Sequence, residues 1–278
     1  MRHFNSIAKM VRFGFITAIL GIIFIYSSSF KTFKPGKRSG SDKDKLKIVV
    51  IDAGHGGFDP GCQYGGVQEK NVTLAIALKL GKIIEKNCKD VKVIYTRDTD
   101  EFIKLKERTN IANRNKANLF ISIHCNAIPS KPGIYGTETY TLGLYKNEVN
   151  LSIAKRENEV VLLEDDYKKN YDGFDPNSPE ANIIFSLYQN VYVTQSVRFA
   201  SMVENHVKLA ANRENRGVKQ AGFIVLWGSV MPSVLIETGY LTNEKERKFL
   251  NSSDGQGEMA TGIYDAFKKY KDEFESVN

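Results

Sequence analysis

Cysteine is scarce in this chain of 278 residues: Cys62, Cys88 and Cys125 form an odd set with no CxxC spacing. That excludes a disulfide framework and a cysteine-ligated zinc site. One pair could bridge in an oxidising compartment, and the sequence does not choose which. Long apolar runs are also lacking. The longest, Phe13–Tyr26, has about 14 residues, short of the roughly 20 that a spanning helix needs. There is no internal repeat. Neither GxxxxGK[ST] nor GxGxxG occurs, so Gly54-His55-Gly56-Gly57 does not read as the phosphate loop of a nucleotide enzyme.

Charge of one sign is missing from most of the chain as well. The net +7 resides in residues 1–47, which hold 10 Lys/Arg against 2 Asp/Glu; the other 231 carry 29 against 30. A nucleic-acid partner is therefore not expected. The basic segment reads as a leader. Arg2, Lys9 and Arg12 precede the apolar Phe13–Tyr26, and Ser27-Ser28-Ser29 follows, the pattern of a secretory signal. Val11 and Phe30 could extend the run into an uncleaved anchor. The cluster Lys31, Lys34, Lys37, Arg38 fits poorly with easy translocation. The expectation is a signal peptide or membrane anchor at 1–30 and a Lys/Ser/Gly/Asp-rich linker at 31–47. Location in the periplasm or cell envelope follows, with membrane contact only through residues 11–30.

From residue 48 the pattern is strand–helix–strand, which predicts an α/β domain over 48–272. Strands are expected at Ile48–Ile51, Val91–Tyr95, Leu119–Ile123, Gly136–Leu142, Phe223–Trp227 and Val234–Ile236. Helices are expected over Asn71–Asn87 with Asn71 as cap, over 104–118, and from about Ile183. The last has Val193, Val197, Ala200, Val203, Val207 and Ala210 on its apolar side. Two more follow at Glu244–Leu250 and Glu258–Tyr270. Glu148–Glu180 interrupts the rhythm with 9 acidic and 4 basic residues. Its first half suits one short helix, and its second carries turn signals.

Three buried-type strands end on polar residues. Ile48–Ile51 runs into Asp52-Ala53-Gly54-His55, Leu119–Ile123 delivers His124, and Val234–Ile236 delivers Glu237. Glu69 heads a helix, where an acid is favoured anyway by the helix dipole. In open α/β sheets ligands gather at the carboxyl ends of strands. Two imidazoles and a carboxylate, His55, His124 and Glu69, match the His₂Glu set of catalytic zinc sites. Glu237 is costly to bury without a task and is expected to serve as general base and then proton donor. Cys125, beside His124 but on the opposite strand face, is expected to be a buried structural thiol.

IVVIDAGHGGFDPG, VQEKNVTLAIA, LKERTNIANRNKANLFISIHCNA and AGFIVLWGSVMPSVLIETGYLTN, in that order, resemble the zinc-dependent N-acetylmuramoyl-L-alanine amidases of family 3. The resemblance covers Ile48 to Tyr270. It implies a single domain with a twisted mixed, mostly parallel sheet flanked by helices on both faces. It also implies one Zn²⁺ at His55, Glu69 and His124, a catalytic Glu237, and peptidoglycan as substrate, cut between the lactyl group of N-acetylmuramic acid and L-alanine. Asn118 departs from the family's usual Asp. Arg108 matches a recurrent arginine and is expected to orient substrate, with Asn126, or a carboxylate; an ordinary helix-surface ion pair is the alternative for Arg108. Cell-division members carry an extra helical segment that covers the cleft until an activator displaces it. Residues 148–180 are similar in place and length, with Glu157 as the first expected inhibitory carboxylate and Glu159 the second. A metal-dead wall-binding homologue, or a zinc peptidase cutting another stem-peptide bond, are the competing readings.

Overall fold

The computed structural model describes residues 45–144, 148–165, 167–171 and 191–277. The expected leader, most of the linker, the second half of the acidic insertion and the Ile183 helix start lie outside the described residues. Leu46, which composition places in the linker, is fully buried in the core. No helix among the described residues is long and apolar enough to cross a membrane.

Six strands form one sheet: β1 (Ile48–Ala53), β4 (Lys92–Tyr95), β5 (Leu119–Asn126), β6 (Thr137–Leu142), β7 (Asn215–Ala221) and β8 (Ser233–Tyr240). Their order is β4-β1-β5-β8-β6-β7. β4, β1, β5 and β8 run parallel, β6 is antiparallel to β8, and β7 is parallel to β6. A two-stranded hairpin, β2 (Gln63–Tyr64) and β3 (Val67–Gln68), feeds directly into helix α1 (Glu69–Asn87). Its turn, Gly65-Gly66, has both φ angles positive, as a tight two-residue hairpin turn requires. α1 therefore starts two residues earlier than its sequence pattern suggests, and Asn71 is exposed in the first turn rather than capping it.

The other helices are α2 (Leu105–Arg114), α3 (Glu148–Asn158, continued as a 3-10 turn over Glu159–Leu163), α4 (Tyr167–Asn170), α5 (Val193–Ala211), α6 (Glu244–Leu250) and α7 (Ser253–Val277). On one face of the sheet Val49, Ile51, Ile121, Ile123 and Ile236 pack with apolar residues of α1, α5 and α7. On the other, Val50, Phe120, Leu235 and Tyr140 pack with residues of α2, α3 and the 224–226 turn. In α5 the buried stripe runs through Phe199, Ala200, Val203 and Val207, while Val197 faces solvent.

One expected strand needs correction. Phe223–Trp227 is not a strand; Ile224–Leu226 forms a 3-10 turn that is apolar because it packs beneath α2 in the second core. The strand is the preceding Asn215–Ala221, whose polar sequence suits a half-buried sheet edge.

Candidate metal centre

Alternation along the strands places polar residues in rows on the second face. Asp52 on β1 is level with Ser122 on β5, and His124 on β5 with Glu237 on β8, which in turn pairs with Glu138 on β6. β1 connects outward to β4, and the chain then crosses to β5 on the other side of β1. This reversal of direction is where open α/β sheets form a crevice. His55 follows β1, and His124 lies near the end of β5.

His55 adopts φ +61, an uncommon conformation for a side-chain-bearing residue. Its carbonyl accepts from Arg108 Nη2 at 2.7 Å. Arg108 also bonds Asp52 (2.8 Å), the Ala53 carbonyl (2.7 Å) and the Ile103 carbonyl (2.9 Å). Arg108 thus spends its donors behind the site, orienting the Asp52 carboxylate and bracing the β1 exit. Asp52 accepts from Thr96 and Ser122 at 2.6 Å each, and these bonds with Arg108 hold its carboxyl below its ordinary range despite burial. His55 Nδ1 meets Asp59 Oδ2 at 2.8 Å, which fixes the ring and turns Nε2 toward the cleft.

Glu69, at the head of α1, accepts from the backbone N–H of Cys62 (2.9 Å) and of Cys125 (2.8 Å). Gly54 makes room for the His124 ring: a Cβ there would lie 2.5 Å from ring atoms. His124 Nδ1 lies 3.1 Å from Glu69 Oε1, and His55 Nε2 lies 3.2 Å from the same oxygen.

A fourth donor comes from α3. Glu157 Oε2 is 3.1 Å from His55 Nε2 and 3.0 Å from His124 Nδ1. The four donor atoms lie within 4.8 Å of one another, and all four residues are buried. Donors at about 2.0 Å from a zinc ion in a tetrahedral site stand about 3.3 Å apart. Four of the six separations here are 3.0–3.2 Å. His55 Nε2 and Glu157 Oε2 make no hydrogen bond. Against burial, the carboxylates of Glu69 and Glu157 pull the pKa of both imidazoles up, that of His124 to about 9, so the cluster attracts positive charge. Geometry, unsatisfied donors and charge all fit a divalent metal ion.

Glu237 is fully buried, and neither of its oxygens has a hydrogen-bond partner. Burial and the neighbouring Glu157 push its carboxyl well above the usual range, against the pull of Arg156. Glu159 is exposed and is not among the clustered donors. The Cys125 thiol is buried against Thr238 Oγ1 at 3.2 Å, and all three cysteines are free. Asn118 Oδ1 accepts from the N–H groups of Lys47 and Ile48 at 2.9 Å each, work that an amide oxygen performs as well as a carboxylate. Asp59 and Arg156 were not singled out from sequence. The DP step after the glycine loop was the available signal for Asp59; Arg156 offered none beyond its place before Glu157.

Sheet topology and buried donor set together define an α/β domain with a buried centre able to hold a metal ion. A family model described as N-acetylmuramoyl-L-alanine amidase (Amidase_3) matches residues 49–269. AmiA, an N-acetylmuramoyl-L-alanine amidase of Escherichia coli K12, is 28% identical over 268 residues, covering 95% of this chain and 89% of its own. The N-acetylmuramoyl-L-alanine amidase of Clostridium difficile 630 matches with TM-score 0.62 at 27% identity, over 82% of this chain and 98% of that one. The amidase CwlD of Clostridioides difficile, solved in complex with the lipoprotein GerS, matches with TM-score 0.59 at 28% identity, over 84% and 100%. The chain belongs to the N-acetylmuramoyl-L-alanine amidase family, whose members are hydrolases of the cell wall.

Proposed function

We propose that this chain is an exported zinc amidase that cleaves the bond between the lactyl group of N-acetylmuramic acid and L-alanine, held inactive by its own insertion. The observation that carries this reading is the closure of His55, Glu69 and His124 on one point, with Glu157 opposite and Glu237, whose oxygens accept no hydrogen bond, alongside. In this reading His55, Glu69 and His124 hold the ion. Zinc, when bound, supplies a Lewis acid for the amide carbonyl and makes water acidic near neutral pH. Asp59 holds the His55 ring, and the Cys62 and Cys125 N–H groups hold Glu69, so the donors are oriented before substrate arrives. Glu237 takes a proton from the attacking water and returns it to the leaving nitrogen.

Glu157 occupies the place that water and the substrate carbonyl need, so α3 acts as a lid. An activator protein that displaces residues 148–180 would switch the enzyme on. That CwlD is found with a lipoprotein partner is consistent with regulation by a second protein.

The test is a comparison of wild type with Glu237→Gln on dye-labelled sacculi, with zinc content measured on both. The expected outcome is equal zinc and a loss of turnover of about 10²–10⁴-fold. Mass spectrometry should find an intact stem peptide with a free L-alanine amine. Wild-type turnover in the variant refutes the role of Glu237, and fragments cut within the stem peptide favour the peptidase reading.

A further inference from the structure

Arg156, the residue before Glu157, sits in a cradle that the lid does not supply. Its Nη1 donates to the Ala127 carbonyl at 2.7 Å and to Asn126 Oδ1 at 3.3 Å. Its Nη2 reaches the same Asn126 oxygen at 3.4 Å and lies 3.8 Å from Glu237 Oε1. Arg156 also donates to Glu157 Oε1 on its own helix, from Nη2 at 2.7 Å and Nε at 3.0 Å; the three partners outside the lid belong to β5, β8 or the turn after β5, and all three present oxygen acceptors.

The cradle is built, because the Asn126 amide cannot turn round. Its Nδ2 donates to Glu138 Oε1 at 2.7 Å, and only that end of the amide can donate. Glu138 is fully buried on β6 and is itself held by Tyr140 Oη at 3.0 Å and by Lys219. Asn126 Oδ1 accepts from the Ala127 N–H at 2.8 Å and turns its remaining lone pair to Arg156. The site reads N–H donors and cations, and it would repel a carboxylate.

Amide hydrolysis breaks the C–N bond and forms a bond from carbon to the water oxygen, and the nitrogen gains both of the water's protons. At neutral pH the products are a carboxylate, on the lactyl side, and an ammonium, on L-alanine. The lid presents the same two groups, a carboxylate in Glu157 at the metal cluster and a cation in Arg156 beside Glu237.

We infer that Asn126 Oδ1, the Ala127 carbonyl and the Glu237 carboxylate form the subsite for the leaving amine, and that Arg156 fills it in the closed chain as a mimic of that product. This deepens the amidase and lid readings above and rests on them. Asn126 then orients the scissile nitrogen as it becomes an amine, and Glu138 is the positioning residue that sets the Asn126 amide.

The test uses the full-length chain with Arg156→Ala, which empties the cradle and leaves space for a small amine. L-alaninamide and its N-acetylated form are titrated at pH 7 by calorimetry and thermal melting. Saturable millimolar binding of L-alaninamide is expected, with the acetylated form at least tenfold weaker. Wild type, already filled, should bind neither, and Arg156→Ala with Asn126→Ala should lose the preference. Equal binding of the two probes, no binding to Arg156→Ala, or a preference that survives without Asn126 overturns the subsite. Arg156→Gln, which keeps the packing of the stem, repeats the titration should the alanine variant not fold. The lid is read separately, by the activity of Glu157→Gln on sacculi: no gain there refutes inhibition by Glu157, while the probe preference still decides the amine subsite.

Discussion

Ile153→Ala should switch on basal activity without touching the catalytic groups. Ile153 is 1% exposed in α3, in the second core with Val160, Val161, Tyr140 and Phe223. Truncating a buried isoleucine costs about 2–5 kcal/mol. If the lid must leave for substrate to enter, those contacts are lost in the open form anyway, so the whole cost falls on the closed form. At 1.4 kcal/mol per factor of ten, the open-to-closed ratio rises roughly thirtyfold to a few thousandfold. The assay is dye release from labelled sacculi at matched protein and zinc, with a thermal melt of the same sample. Leu162→Ala is the control: Leu162 lies in the 3-10 turn that continues α3 and is 42% exposed, so its truncation should change the rate less than twofold. A lowered melting temperature for Ile153→Ala with an unchanged basal rate would refute the reasoning, since it would mean that loosening the lid does not admit substrate.

Two other substitutions probe the scaffold. Asp59→Ala should weaken zinc binding about 10–100-fold, because the His55 ring loses the partner that orients it; competition with a chelator of known affinity measures this, and unchanged affinity contradicts it. Glu204 on α5 is buried beneath Thr137 and Thr139, and burial raises its pKa to about 7 despite both hydroxyl bonds. A carboxyl raised in the fold gives full stability below its unfolded value of about 4.5 and loses it as pH climbs through about 7. Glu204→Gln should therefore gain up to about 3 kcal/mol over wild type at pH 8 and almost nothing at pH 4. Urea unfolding at the two pH values checks this, and a gain independent of pH would exclude ionisation as the cause.

His55, His124 and Glu237 were visible in sequence because each follows an apolar run, whereas Glu69 stood at a helix start and Glu157 came only with the resemblance. A strand buried on both faces has no reason to finish on His124 or Glu237 unless something there uses them. The residues that hold them were less visible. Arg108 reads as a helix-surface arginine, yet helical spacing turns it inward to reach Asp52 and the His55 carbonyl. Asp59 lies in a loop, where no periodicity marks which side chain turns in. β7 was hidden because an edge strand with Arg216 and Lys219 half-exposed carries no apolar run. The 224–226 turn looked like a strand because burial alone, without hydrogen-bonded pairing, selects the same apolar residues. Helix α3 was legible as a helix, but its role in the second core depends on Tyr140 and Phe223, which are distant in the chain.

Helix α3 is a wall of the molecule, sharing the second core with Tyr140, Leu142 and Phe223, and on the proposed reading it is a plug as well. Swinging it away would then forfeit that burial, a penalty that would draw the plug back unless another protein covered the gap. An enzyme so arranged would not stay on by itself once its trigger departed. For a catalyst acting on the layer that resists a cell's turgor, such a spring-back would confine damage to the places where the trigger is bound.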